Sequence, residues 1–374
     1  MFLWKSLYYN KPIKSKILSK IPLALSGYAL GVGGLGGAII NFISEFNNSS
    51  NSSILLTIET IIYTLLTLYS FIILIIVMSR FIYCFNLLKS ELKTPNKSGF
   101  IATAFMCICQ LGGYIGWMFT NYIPNDFEAK FYLFIIPNVI VLVSLMLHFI
   151  FLYYFFKYIF IPHNYSNDEI FASWFVPLIG IVICVTCFNN LGNVIPVLFY
   201  QILWFIGLFL YFWVWPVVIY KFLFLPHSSE NDKPSMGIFA APANLLSVGF
   251  LDAFNPNNKF KSVLNNVMLF RALGSFMIFF VATSIVIMLA VLVYSNKKQG
   301  FSILWTSFTF PTAVAATSLF KFAHNFFIGE SSIIATHYLF FSLATILLII
   351  SLTIITCLNV PHWKAIIQAV KISK

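Results

Sequence analysis

Glu59, Asp252 and Arg271 carry charge inside long apolar stretches and call for an explanation. A charge at the centre of a membrane-crossing helix costs about 2.5–3.5 kcal/mol on insertion scales, so each needs a partner or a task. Asp252 and Arg271 flank one short connection, a spacing that predicts an ion pair near a membrane surface. Glu59 is expected near an interface, with proton coupling as its sharper role. Three histidines each follow a proline: His163 in IPHN, His227 in LPHS and His362 in VPHW. A proline that stops a helix, beside a cation that suits its C-terminal dipole, explains this recurrence without a metal. No HExxH or HxxH spacing occurs and no GxxxxGK[ST] phosphate loop, so neither a metal site nor ATP-driven chemistry is expected. Cys184 and Cys187 spell CxxC but sit in apolar surroundings and read as small buried residues. Acids and histidines are too sparse to cluster as an integral-membrane enzyme requires, so no catalytic residue and no cofactor is predicted.

The elements that must position these residues follow from composition. Of 374 residues, 60% are hydrophobic and 9% charged, more apolar surface than one water-soluble core can hide. A membrane-spanning helix takes roughly 20 predominantly apolar residues. Ten such stretches lie near 21–44, 54–79, 101–121, 131–157, 172–190, 194–218, 237–254, 266–293, 302–323 and 333–357. The chain therefore divides into a basic N-terminal segment (1–20), a ten-helix membrane domain (21–358) and a short tail (359–374). A net charge of +11 invites a nucleic-acid reading, but the 22 basic residues are scattered through connections with no base-stacking module, so no nucleic acid is expected. If the N-terminus is cytoplasmic, 17 of them fall on that side, Lys130, Lys259, Lys261 and Lys321 fall outside, and Arg271 lies within a span. That bias predicts cytoplasmic termini. The connections near 87–98, 158–170 and 222–236 are the longest, and the glycine-rich first span lacks the pattern of a cleaved leader.

Internal repetition sets the architecture. KYIFIPH (157–163) returns as KFLFLPH (221–227), Phe175 of FVPLIG falls on Phe239 of FAAPAN at the same offset, and FAAP (239–242) returns as FTFP (308–311). The unit is about two helices, and successive units point the same way, which implies a rotation axis along the membrane normal. Odd and even spans differ in composition: 12 of 24 residues in the first and 12 of 22 in the ninth are Gly, Ala, Ser, Thr or Pro, against 2 of 27 in the fourth. Small residues permit close approach or leave room beside an axis, whereas Ile, Leu and Phe suit lipid. Five odd helices inside and five even helices outside is the predicted arrangement: an all-α integral membrane protein of five helical hairpins, quasi-five-fold around a central pore.

Within the odd spans, Pro177, Pro242 and Pro311 predict helix breaks at one depth, and Gly27, Gly31, Gly33, Gly34, Gly112 and Gly113 loosen the remaining two. No ring of Arg or Lys lies within the spans, so helix N-termini and polar side chains would supply the donors: Ser26, Ser247, Thr309, Thr312 and Asn244. Apart from Gly33 and Gly34, these residues together with Gly180 make the candidate pore lining.

Three stretches resemble the tellurite-resistance/dicarboxylate transporter family, which includes the slow anion channels of plant guard cells: PSMGIFAAPANLLSVGF (234–250), LWTSFTFPTAVAAT (304–317) and SWFVPLIG (173–180). The resemblance implies five hairpins around a pore lined by odd helices, assembly as a homotrimer, and residence in a bacterial inner membrane. It also implies a phenylalanine plug in the ninth helix, which falls on Phe310 with Phe308 as the alternative. The expected function is passage of small inorganic or organic anions through a gated channel or facilitator. The competing reading is a proton-coupled carrier exporting sulfite, C4-dicarboxylates or related anions, for which Glu59 or His337 would titrate.

Overall fold

The computed structural model describes residues 11–46, 52–124, 130–162, 170–224, 230–257, 262, 264–299, 303–326 and 334–371. Among these, ten helices are long and apolar enough to cross a membrane: α1 (Leu25–Ser44), α2 (Ser53–Tyr83), α3 (Lys97–Tyr122), α4 (Lys130–Phe160), α5 (Ala172–Asn190), α6 (Val197–Lys221), α7 (Ser235–Ala253), α8 (Val267–Lys297), α9 (Ile303–Phe326) and α10 (Ile334–Lys371). All ten predicted spans are present. Two shorter helices, Lys11–Leu18 and Phe85–Glu91, lie outside them. The second occupies a stretch expected to be a loop, and it is fixed there by a buried ion pair. Both amino groups of the Arg80 guanidinium donate to the Glu91 carboxylate, at 2.8 and 2.6 Å.

Burial alternates along the chain as composition predicts. Every residue from Ala240 to Ala253 in α7 is buried, whereas only 28% of the most apolar stretch of α2, and of α10, is buried. Each odd helix touches the odd helices before and after it, and α9 closes the succession by packing on α1. Every even helix packs on the odd helix that precedes it. Large apolar side chains such as Leu65, Phe209, Phe279 and Ile349 are left exposed on the even helices, the surface that hydrocarbon covers. Side chains that align in the repeat also meet: the rings of Phe175 and Phe239 are 5.7 Å apart, edge to face.

The prolines act differently from the prediction. Pro242 sits in the first turn of the regular helix Ala240–Ala253, and Pro311 lies inside the unbroken helix Thr306–Asn325. At Pro242 the missing N–H costs little, because the first four N–H groups of a helix have no intrahelical partner anyway. The irregular span is α5, which alternates between α and 3-10 turns and changes at Gly180 rather than Pro177. It ends in a tight turn where Gly192 (φ +66°) and Asn193 (φ 54°) adopt left-handed conformations, the first with its Cα against the Phe134 ring. A second proline is overridden outright: α10 runs through Pro361 to Lys371, so the predicted stop before His362 does not occur. Side-chain ties hold that extension in place. Trp363 Nε1 donates to the Tyr69 hydroxyl at 2.8 Å, Tyr69 donates to Asn359, and His362 Nε2 lies 3.0 Å from Thr306 Oγ1.

Glycines set the helix spacing. A Cβ added at Gly116 of α3 would lie 2.0 Å from the carbonyl oxygen of Asn190 in α5, whereas one at Gly37 of α1 meets nothing within 4 Å. Gly116→Ala is therefore expected to cost about 1–3 kcal/mol through forced separation of α3 and α5. Thermal unfolding in detergent checks this: the midpoint falls for Gly116→Ala and stays in place for Gly37→Ala.

Candidate functional site

Two cavities lie along the odd helices, and all five contribute to both walls. The first, about 40 Å3, lies toward their N-terminal ends and is almost wholly apolar. Gly27 and Leu30 of α1, Thr103 and Met106 of α3, Phe175 and Gly180 of α5, Ala241 and Pro242 of α7, and Thr306, Ser307 and Pro311 of α9 line it. The second, about 330 Å3, lies toward the C-terminal ends and is far more polar. Its wall includes Asn41, Gln110, Gly113, Thr186, Cys187, Asn189, Asp252, Thr317 and Lys321, with Tyr63 reaching in from α2. Two side chains, Leu245 and Phe310, belong to both walls and so form the partition between the cavities.

The glycines of α1 explain how Phe310 reaches that position. Gly31 faces Thr309, whose hydroxyl would lie 2.3 Å from an added Cβ; Gly33 faces the Gln110 amide at 2.6 Å; Gly34 faces the Phe310 ring at 3.2 Å; Gly36 faces Tyr63 at 2.6 Å. Side chains from α2, α3 and α9 thus lie in notches where α1 has none of its own. Phe308 points elsewhere. It is fully buried against Trp305, with ring centroids 5.6 Å apart, and over Gly237, where a Cβ would lie 2.4 Å from its ring. Phe308 lines neither cavity.

The other predicted lining residues divide in two. Gly27, Gly180, Pro242 and Pro311 face the first cavity and Gly113 the second. Ser26, Gly31, Gly112, Pro177, Asn244, Ser247, Thr309 and Thr312 lie in contacts between or within helices instead. Ser26 Oγ is 2.6 Å from the Phe100 carbonyl, and the built Cβ of Gly112 is 2.8 Å from Val141. The Pro177 carbonyl accepts from His148 Nε2 at 2.9 Å. Asn244 Nδ2 donates to Ala240 O at 2.7 Å and to Ser284 Oγ at 3.3 Å, and Ser247 donates to Ala243 O at 2.8 Å. Thr309 and Thr312 donate to carbonyls one turn back, at 2.8 and 2.7 Å, the usual fate of hydroxyls in helices.

Leu245, Gln110, Tyr63, Ser307 and Lys321 are wall residues that the sequence reading did not name as lining. One signal was available for the partition itself. Under the repeat, Phe308 falls on the buried Phe239 and Phe175, whereas Phe310 falls on Ala241 and Pro177 and has no aromatic counterpart.

Of Glu59, Asp252 and Arg271, Asp252 is held in an ion pair. Among the described residues, the ion-pair partner of Asp252 is Lys321 of α9 rather than the predicted Arg271, and Asn189 Nδ2 donates to the same Asp252 oxygen at 2.8 Å. Glu59 is buried and His337 lies 2.9 Å from Glu45 Oε1, and neither lines a cavity. Cys184 and Cys187 are buried free thiols, with Cys109 Sγ 3.6 Å from Cys184 Sγ and Cys187 on the second cavity wall. His163 and His227 lie outside the described residues.

These features define an all-helical integral membrane protein with ten candidate spans. Residues 20–359 match the voltage-dependent anion channel family (SLAC1), so the chain belongs to that family, the one its sequence motifs resemble. It is a family of anion channels and not of enzymes. No curated protein matches the chain at a significant level.

The Asp252–Lys321 pair makes a stability test. Lys321→Met leaves a carboxylate buried without its counter-charge and is expected to destabilise by about 3 kcal/mol. Adding Asp252→Asn removes that charge and restores most of the loss, measured as the unfolding midpoint in detergent of the single and double variants.

Proposed function

We propose that this protein is a gated anion channel. In this reading α1, α3, α5, α7 and α9 form a ring of five hairpins around a central pore, with the even helices outside. The observation that carries it is the presence of Phe310 in the walls of both cavities. An anion moving from one cavity to the other must displace that ring. Swinging Phe310 toward either cavity joins the two without breaking a hydrogen bond, because the ring makes none. The wall supports passage rather than storage: its one described cation, Lys321, is neutralised by Asp252, so an anion meets neutral donors that hold it weakly.

Seventeen basic residues on the side of the N-terminus support cytoplasmic termini, which turns the small cavity toward the cytoplasm and the large one outward. Homotrimeric assembly and residence in a bacterial inner membrane follow the family resemblance and belong to the same proposal. Passive flow is preferred over proton-coupled export because Glu59 and His337, the residues a carrier would titrate, lie off the path.

Planar-bilayer recording with purified protein tests the gate. Phe310→Ala is expected to raise anion current about tenfold or more, equivalent to removing about 1.4 kcal/mol of barrier. Phe308→Ala is expected to leave current unchanged while costing about 3–5 kcal/mol of stability as a buried truncation. Silence from Phe310→Ala under chloride, nitrate, sulfite and malate gradients would reject the gate, and pH-driven flux in liposomes would then favour the carrier.

A further inference from the structure

We propose that the Gln110 carboxamide forms a binding site for a small monovalent anion on the large-cavity side of the Phe310 ring, and that this site sets which anion enters the constriction. The proposal rests on the pore reading above and adds to it a residue and a ligand class. An anion approaching the partition must shed water, and something in the wall must replace those hydrogen bonds. Most polar groups of the large cavity are already committed. Asn41 Nδ2 donates to Gly37 O at 2.7 Å, Thr186 to Ile183 O at 2.8 Å and Thr317 to Ala313 O at 3.0 Å, while Asn189 and Lys321 are both held by Asp252. Among the described residues, Gln110 has no hydrogen-bond partner, and its Oε1 is buried. The unsatisfied buried atom is the acceptor, so the part of the group free to serve an anion is the Nε2 end, whose donors have no described partner either and lie on the more open side of this half-buried amide.

Its placement fits that task. Oε1 lies over Gly33, where any Cβ would come within 2.6 Å, and Gln110 also lines a recess with Thr67, whose Oγ1 is likewise unpartnered. With Oε1 against Gly33, the Nε2 end lies toward Gly34. Nε2 and Phe310 Cδ2 lie 3.6 and 3.2 Å from the same built Cβ position above Gly34, so donor and gate are neighbours. The Tyr63 hydroxyl is a second donor group in the same wall. A neutral amide beside the electropositive edge of an aromatic ring holds an anion less tightly than an ammonium would. Two N–H groups suffice for chloride or nitrate, whereas a dianion brought to the same place would lack donors for most of its oxygens.

Two measurements test this. In the first, the detergent-solubilised full chain is titrated with sodium nitrate against sodium gluconate and the unfolding midpoint is followed, since a ligand of the folded state raises it with saturation. Wild-type protein is expected to show a saturable shift; Gln110→Leu is expected to weaken apparent nitrate affinity about tenfold, the loss of roughly one hydrogen bond to a charged group. Gln110→Glu, which keeps the shape should the leucine variant misfold, is expected to abolish the shift, and Thr283→Ala, on α8 and in neither cavity wall, to leave it unchanged. In the second, the nitrate-to-chloride permeability ratio is read from reversal potentials in the Phe310→Ala background, where Gln110→Leu is expected to change it. Equal nitrate affinity in wild type and the Gln110 variants, or no nitrate-dependent shift in wild type, overturns the proposal whether or not Phe310→Ala conducts. Lost affinity in the Gln110 variants with a silent Phe310→Ala supports this site and rejects the gate. A conducting Phe310→Ala whose permeability ratio ignores Gln110 leaves the gate standing and overturns selection by Gln110.

Discussion

Close approach to α1 is the condition on which the rest of the interior depends. A helix normally fills the space along its axis with its own side chains, but Gly31, Gly33, Gly34 and Gly36 give that space to Thr309, Gln110, Phe310 and Tyr63 of neighbouring helices. One stretch of backbone thereby sets the position of the ring that divides the two cavities and of the amide beside it. Glycine is a poor helix former in water, costing about 1 kcal/mol relative to alanine. In hydrocarbon that weakness matters less, because the backbone has no water to turn to and must keep its internal hydrogen bonds. The sequence can therefore place several glycines in one span and still form α1.

Polar side chains in such an interior are spent in two ways. Ser247, Thr309 and Thr312 return their hydroxyls to carbonyls one turn back, which satisfies them, and none of the three lines a cavity. Charges find one another across helices: Asp252 with Lys321 between α7 and α9, and Arg80 with Glu91 beside the end of α2. What remains facing the large cavity is nearly neutral, with a few uncommitted donors. In the proposed channel, a path lined this way avoids both the cost of bare hydrocarbon and the trap of a fixed positive charge.

The proline-rich depth near the N-terminal ends of the odd helices serves shape more than ion chemistry. Pro242 and Pro311 line the small cavity with rings that carry no N–H, and α5 adds Gly180 at the same cavity, where its helix changes pitch. The first cavity is narrow and apolar as a result, so an ion entering it has left most of its partners behind. In the proposed channel, affinity resides on the wider side, where the amide and phenol groups are.

The sequence by itself determined the ten spans, their apolar lengths and the alternation of small and bulky compositions that matches the alternation in burial. Hydrocarbon imposes those features on composition directly, so they can be counted. Tertiary structure alone decided rotations and partners. Phe308 and Phe310 are two residues apart and therefore about 200° apart around a helix, so only one can line the cavities. Which one depends on how α9 turns against α1, and the Gly34 notch settles it. The same holds for Asp252, whose counter-charge lies 69 residues away rather than across the nearest connection. It holds also for α10, where contacts with Tyr69 and Thr306 outweigh the stop signal of Pro361. A hydrophobic pattern fixes how deep a residue sits, but its direction around the helix is fixed by the neighbours that leave room for it.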